Sequence, residues 1–197
     1  MKKKFKQVYQ FKITLKDTKP PIWRKIQVPE TYTFWDLHVA IQDTMGWLDY
    51  HLHEFEMVDP KTGFKVNIGI PDEDSIVEIL PDWKQKIADY LFLVNRSADY
   101  IYDFGDNWRH KIELEKIVPR DKNTEYPVCI DGKRASPPED VGGIGRYEEF
   151  LEAIKDPEHE EHERMLEWAG GEFDPEGFDI DEVYFDDPDE KKKMAFG

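Results

Sequence analysis

An α+β fold with a mainly antiparallel sheet, an N-terminal ββα unit and two C-terminal helices is predicted by three features of the sequence. Phe5, Tyr9, Phe11, Ile13 and Leu15 alternate with Lys4, Lys6, Gln10, Lys12, Thr14 and Lys16, the period of a half-buried strand. Phe34, Leu37, Ile41 and Met45 recur at helical spacing soon afterwards. The middle of the chain is a run of short alternating segments separated by turn residues, which argues for hairpins and against crossover units.

Each element has its own signal. Asp17-Thr18-Lys19-Pro20-Pro21 ends the first strand, and Ile22, Ile26 and Val28 mark a second that stops at Pro29. Thr33 with Asp36 three residues later reads as a capping box, and Gly46 stops the helix. Residues 51–58 and 64–70 form a hairpin across Asp59-Pro60-Lys61-Thr62-Gly63. Residues 72–88 read either as a helix or as two turns around Pro81, and the apolar run Tyr90–Val94 as a central strand. The longest hairpin joins residues 99–104 to 108–118 through Gly105-Asp106-Asn107, with Gly105 offering a positive φ. Its register buries Trp108 and His110 and leaves Arg109, Lys111, Glu113 and Glu115 in water. A short strand at 126–130 and an irregular Pro/Gly-rich stretch at 134–143 follow. Tyr147, Phe150, Leu151 and Ile154 stripe one closing helix, and Asp156-Pro157 opens the other, which ends at Gly170-Gly171. One domain over residues 1–185 is expected, followed by a polar, frayed tail at 186–197.

Charge and composition narrow the function. The chain has 197 residues, 39% of them hydrophobic and 14% aromatic, enough for one sizeable core. The net charge is −16, divided unevenly. Residues 1–28 hold nine Lys/Arg against Asp17, whereas residues 139–190 hold 21 acids against Arg146, Lys155 and Arg164. A chain this acidic repels a phosphate backbone, so duplex DNA binding is disfavoured, and the acidic third suits a protein partner or cations. A single cysteine, Cys129, excludes an internal disulfide, and no flanking charge marks it as a thiolate nucleophile. No apolar run is long enough to span a bilayer, and the N-terminal lysines have no apolar stretch behind them. A cytoplasmic protein without a membrane segment is the expectation.

Four constellations could carry chemistry. In His51-Leu52-His53, residues two apart on a strand face the same way, so both imidazoles could contribute to a metal site with His38, His110 or Asp103 as a third ligand. The plainer alternative is a pair of strand histidines hydrogen-bonded within the protein. The segment from Tyr100 to His110 places Trp108 and His110 opposite Tyr100, Tyr102 and Phe104, either as an aromatic ligand wall or as core, with Asp103 and Asp106 beside it. Pro137-Pro138-Glu139-Asp140-Val141-Gly142-Gly143 presents two carboxylates from a stiff loop, suited to a cation or to Arg134. His159-Glu160-Glu161-His162 has i, i+3 spacing, which departs from the zincin pattern and reads as helix surface.

Taken together, Ile22-Trp23-Arg24, Val28-Pro29, Leu37-His38, Gly46-Trp47, His51-Leu52-His53-Glu54-Phe55, Tyr102-Asp103-Phe104-Gly105-Asp106 with Trp108 and His110, Tyr126-Pro127 with Cys129, Pro137–Gly143, and Phe173-Asp174-Pro175 with Phe178 resemble the plasmid pRiA4b ORF-3-like family. The likeness spans nearly the whole chain in order. Arg146-Tyr147 and Val183-Tyr184 depart from the usual Gly-Tyr and Val-Asn. The resemblance implies a compact α+β domain and an association with plasmids or mobile elements, and it carries no catalytic residue or cofactor.

Two functional readings follow. The first is a non-enzymatic binding or interaction module whose ligand meets Trp23, His51, His53, Asp103, Asp106, Trp108, His110, Glu139 and Asp140 where three distant segments converge. The second is a metal-dependent hydrolase or nuclease, with a divalent metal held by His51, His53 and His110 together with a carboxylate.

Overall fold

The computed structural model describes residues 4–72 and 75–197, so Lys2 and Lys3 of the N-terminal cluster lie outside it. Strands β1 (Gln7–Leu15), β2 (Trp23–Pro29), β3 (His53–Val58), β4 (Lys65–Gly69), β5 (Ile79–Pro81), β6 (Ser97–Tyr102), β7 (Trp108–Pro119) and β8 (Val128–Lys133) form one sheet in the order β5-β4-β3-β6-β7-β1-β2-β8. Every pairing is antiparallel except β4 with β5. The α+β class read from the sequence is therefore the fold observed.

The alternating strands place Phe11, Ile13, Ile26, Phe55, Tyr100, Ile112 and Leu114 in the buried core. Helix α1 (Phe34–Met45) adds Phe34, Leu37 and Ile41 to that core. Its capping box forms as read, with Thr33 Oγ1 accepting from Asp36 N and the Asp36 carboxylate accepting from Thr33 N. The β6–β7 hairpin has the expected register, Tyr102 opposite Trp108 and Tyr100 opposite His110, with both Trp108 and His110 buried. The other face of the sheet carries charge pairs such as Lys16–Asp99 and Arg109–Glu56. Trp23 lies there beneath the ammonium groups of Lys12 and Lys25.

Four local expectations are corrected. The run Tyr90–Val94 is no strand: α2 (Ile87–Tyr90) ends in it, and Leu93 and Val94 are exposed. In the ambiguous stretch before it, residues 73 and 74 lie outside the described residues, and the rest holds β5, a 3-10 turn at Asp82–Lys84 and the start of α2. Positive φ in the β6–β7 turn falls on Asp103 (54°) and Asn107 (56°), and Gly105 does not use its freedom. After α3 (Gly143–Lys155), the next helix, α4 (His162–Trp168), starts later than Asp156. The segment expected to fray instead forms α5 (Pro188–Phe196), because Asp187 caps it and Phe196 packs on Trp35 and Trp83. Trp35 Nε1 also donates to Pro188 O, fastening α5 to α1.

Candidate functional site

Three segments meet at one end of the sheet. The loop after α1 (residues 46–52), the β6–β7 turn (103–107) and the loop before α3 (137–142) are held together by hydrogen bonds that are few but specific. Tyr102 stands at their centre. Its hydroxyl donates to Glu139 Oε1 at 2.5 Å and accepts from Tyr50 N at 3.0 Å. The second oxygen of Glu139 accepts from Leu48 N at 2.7 Å. Asp106 Oδ2 accepts from Gly142 N at 2.9 Å, and Trp47 Nε1 donates to Pro137 O at 2.9 Å. Gly143 permits the approach: a Cβ there would sit 2.5 Å from Asp106 O, and its φ of 77° disfavours any L side chain.

Three polar side chains converge above this frame. His51 Nε2 lies 2.8 Å from Asp140 Oδ1 and 3.8 Å from Asp103 Oδ2. One ligand atom from each of His51, Asp103 and Asp140 falls within 4.8 Å of the others, a spacing that could hold a divalent cation. Burial acts to lower the His51 pKa, but the carboxylates of Asp140, Asp103 and Glu139 outweigh it and raise it above the usual imidazole value. The cluster opens to solvent. Around it Leu48, Tyr50, Leu52 and Phe104 are each half or more exposed.

His53 and His110 do not join His51. The chain at His51-Leu52 has not yet entered β3, so the two-residue alternation begins only at His53. His53 is buried, its Nε2 2.7 Å from Asp82 Oδ2 and its ring stacked 3.4 Å from that of His38. His38 Nδ1 lies 2.8 Å from the Tyr100 hydroxyl and Nε2 2.9 Å from Asp49 Oδ1; a neutral imidazole here donates from Nε2 to the carboxylate and accepts at Nδ1 from the phenol. Burial and the neighbouring His53 push His38 down to about 4 despite the Asp49 bond. His110 lies under Trp47 with ring centroids 5.5 Å apart, and among the described residues neither of its nitrogens makes a well-aligned hydrogen bond. Its burial pushes it down to about 3, and the backbone of Tyr100 and Trp108 offsets only part of this.

The remaining candidates divide the same way. Glu139 braces the loops, Asp106 anchors Gly142, and Trp108 packs beneath Trp47, which stacks on Tyr102 at 5.2 Å. Trp23 is on the opposite face of the sheet, because β2 turns Arg24 and Ile26 inward, and so supplies no wall to this site. Arg134 pairs with Glu176 instead of the 139–140 carboxylates. His162 Nδ1 bonds to Ala153 O, a helix-packing role. Sequence reasoning placed Tyr102 in an aromatic wall without seeing its hydroxyl's role, and it passed over the exposed side chains that follow Gly46, Leu48, Tyr50 and Leu52. Their signal was present: apolar residues alternate directly after a helix-stopping glycine, where no element needs them.

The plasmid pRiA4b ORF-3-like protein family matches residues 7–182. The chain belongs to that family. A relative within reach of it is an uncharacterised protein, y4hQ, of Sinorhizobium fredii, 37% identical over 174 residues that cover 83% of this chain and 81% of the relative. The crystal structure of MM3350 from Methanosarcina mazei, a protein of unknown function, is 54% identical and superposes with a TM-score of 0.88, covering 92% of this chain and all of that one. The pRiA4b ORF-3-like fold seen here thus recurs in an archaeal protein. Among the described residues no helix is long and apolar enough to cross a membrane.

Proposed function

We propose that this family member is a binding module whose working surface is the end of the sheet formed by residues 46–52, 103–107 and 137–142. The observation that carries the reading is the ring of exposed Leu48, Tyr50, Leu52 and Phe104 around His51, Asp103 and Asp140. Large side chains cost free energy when left in water, and an apolar rim around a polar, oriented centre is how recognition surfaces are built. The hydrogen bonds of Tyr102 and Glu139 hold that surface in one conformation before a partner arrives, which lowers the ordering cost of binding. Selection of a displayed random-peptide library on the wild-type protein tests it. Binding of the enriched peptides should fall at least about tenfold in Tyr50→Ala and Phe104→Ala proteins. Peptides that bind these variants as well as wild type would place the recognition surface elsewhere.

A second reading is favoured by the His51–Asp103–Asp140 spacing: a divalent metal with three protein ligands and an open solvent side, the arrangement of metal-dependent hydrolases and nucleases. His53 and His110 take no part in it. Calorimetric titration with Mn²⁺ and Zn²⁺ decides this: saturable binding abolished by His51→Ala and Asp103→Asn supports the metal, and no heat of binding removes it.

A further inference from the structure

Beside the proposed surface, and sharing Glu139 with it, lies a cavity of about 660 Å³ between the C-terminal end of α1, the loop at 136–139 and residues 169–183. Its walls include Trp47, Pro137, Phe173 and Val183. Four carboxylates line it, those of Asp43, Glu139, Asp179 and Glu182, and none is within ion-pair distance of a Lys or Arg among the described residues. Arg24 is the one cation in the lining, and its guanidinium is committed to the fold. Nε donates to Thr44 O, Nη1 to Trp23 O and Lys133 O, and Nη2 to Ser136 Oγ, while the group lies 3.9 Å from the Phe178 ring centre.

The charges around the cavity are net negative, four carboxylates against the single guanidinium of Arg24. The twelve-residue helix α1 ends here with no basic residue of its own in the last turn, and Arg24 from β2 meets its Thr44 carbonyl, so the helix end adds no uncompensated charge to the carboxylates. Asp43 is raised to about 7, by burial first and then by Asp186 and Asp49, with the Asp186 N–H and the ammonium of Lys191 opposing. A neutral ligand would leave this field uncompensated, and an anion would be repelled. An alkyl-stemmed cation satisfies both the walls and the carboxylates, since the methylenes of arginine or lysine lie along apolar surface while the head reaches charge.

We propose that the cavity receives an arginine or lysine side chain carried on an extended segment of a partner protein, whose flanking apolar residues rest on Tyr50 and Phe104. The inference rests on the binding-module reading and names the partner's chemistry. Continuity supports it: Glu139 faces the cavity, and its neighbour Asp140 belongs to the His51 cluster. The openness of the groove to solvent suits a chain passing over it.

Fluorescence anisotropy with a labelled peptide of alternating leucine and arginine tests this, against the same peptide with citrulline, the neutral isostere, at each arginine. The arginine peptide should bind at least about tenfold tighter than the citrulline peptide at physiological salt. An Asp179→Asn/Glu182→Gln protein should lose about tenfold, whereas Glu148→Gln/Glu152→Gln, which removes equal charge from the exposed flank of α3, should change affinity less than about threefold. Equal losses in both double variants would show diffuse attraction to an acidic protein and overturn the proposal. So would equal binding of the two peptides. Library peptides that lack arginine and lysine yet depend on Tyr50 would overturn the cavity's role while leaving the binding surface in place. Self-association in sedimentation velocity that is lost in Asp179→Asn/Glu182→Gln would also overturn it, in favour of the basic N-terminal stretch of a second copy.

Discussion

His110→Leu should make this protein more stable, and increasingly so as the pH falls. His110 is fully buried in the β6–β7 hairpin, under Trp47 and beside Tyr100, and among the described residues neither ring nitrogen makes a well-aligned hydrogen bond, the backbone of Tyr100 and Trp108 compensating only in part. An unpaired buried polar group costs roughly 1–3 kcal/mol, and leucine is of comparable volume with nothing to satisfy. Overlap differences will take back part of that, leaving a net gain of about 1 kcal/mol at pH 7. The pH term can be worked separately. The folded-state imidazole is pushed down to about 3, from 6.5 in the unfolded chain, so between those values only the unfolded state binds the proton. Wild-type stability is therefore fully present above pH 6.5 and falls as pH drops below it. From pH 7 to pH 5 this single group costs about 2 kcal/mol by linkage. Asp43, whose carboxyl is raised to about 7, acts in the opposite direction over part of that range, and His38, pushed down to about 4, in the same direction. Both cancel in the difference between wild type and variant. Urea denaturation of the two proteins at pH 5, 6 and 7 measures it: the stability difference should grow by about 2 kcal/mol between pH 7 and pH 5. A difference that is flat with pH, or a variant less stable than wild type at pH 5, would show that His110 has a partner and that its burial is misread.

Three further outcomes follow from the loop frame. Tyr102→Phe removes the donor to Glu139 and the acceptor for Tyr50 N, and should cost about 2 kcal/mol in urea denaturation with faster amide exchange at residues 48–51; a cost below about 0.5 kcal/mol would deny Tyr102 its bracing role. Gly143→Ala should be harsher than an ordinary surface change, since the added Cβ meets Asp106 O in a left-handed conformation; a loss of more than about 2 kcal/mol in the same assay is expected, and an unchanged midpoint would contradict the close approach. In ¹H–¹³C spectra His51 should titrate above the usual imidazole value and move down in Asp140→Asn; its contribution to stability is present at low pH and fades as pH rises through the raised value. An Asp140→Asn protein with an unmoved His51 titration would remove that ion pair.

How far these arguments reach from the sequence alone depended on the kind of signal. Alternation from Trp108 to Glu115 in β7 puts charged residues in water, so the register of the β6–β7 hairpin, including the burial of His110, was legible. The run Tyr90–Val94 misled because continuous apolarity has no period, and the fold buries only Tyr90 and Leu91 while the chain turns away. His51 and His53 were read as one pair because alternation was extended two residues beyond the strand, whereas the bend at His51 sends one to the surface cluster and the other beneath α1. Helix α5 gave no hydrophobic stripe; a cap at Asp187 and one aromatic residue, Phe196, seated between Trp35 and Trp83 hold it. The convergence of His51, the 103–107 turn and the 137–142 loop was foreseeable because each spends carboxylates, glycines or positive-φ residues where a plain sheet needs none. Tyr102 was hidden among core aromatics, since only the position of Glu139 reveals what its hydroxyl does.

The central claim is the location of the binding surface, and an amide hydrogen-exchange footprint of a library-selected peptide on the wild-type protein tests it most directly. Slowed exchange is expected in residues 47–52, 103–107 and 139–142, with the open sheet face around Trp23 unchanged. Protection on the Trp23 face, with those three segments exchanging as in the free protein, would contradict the account.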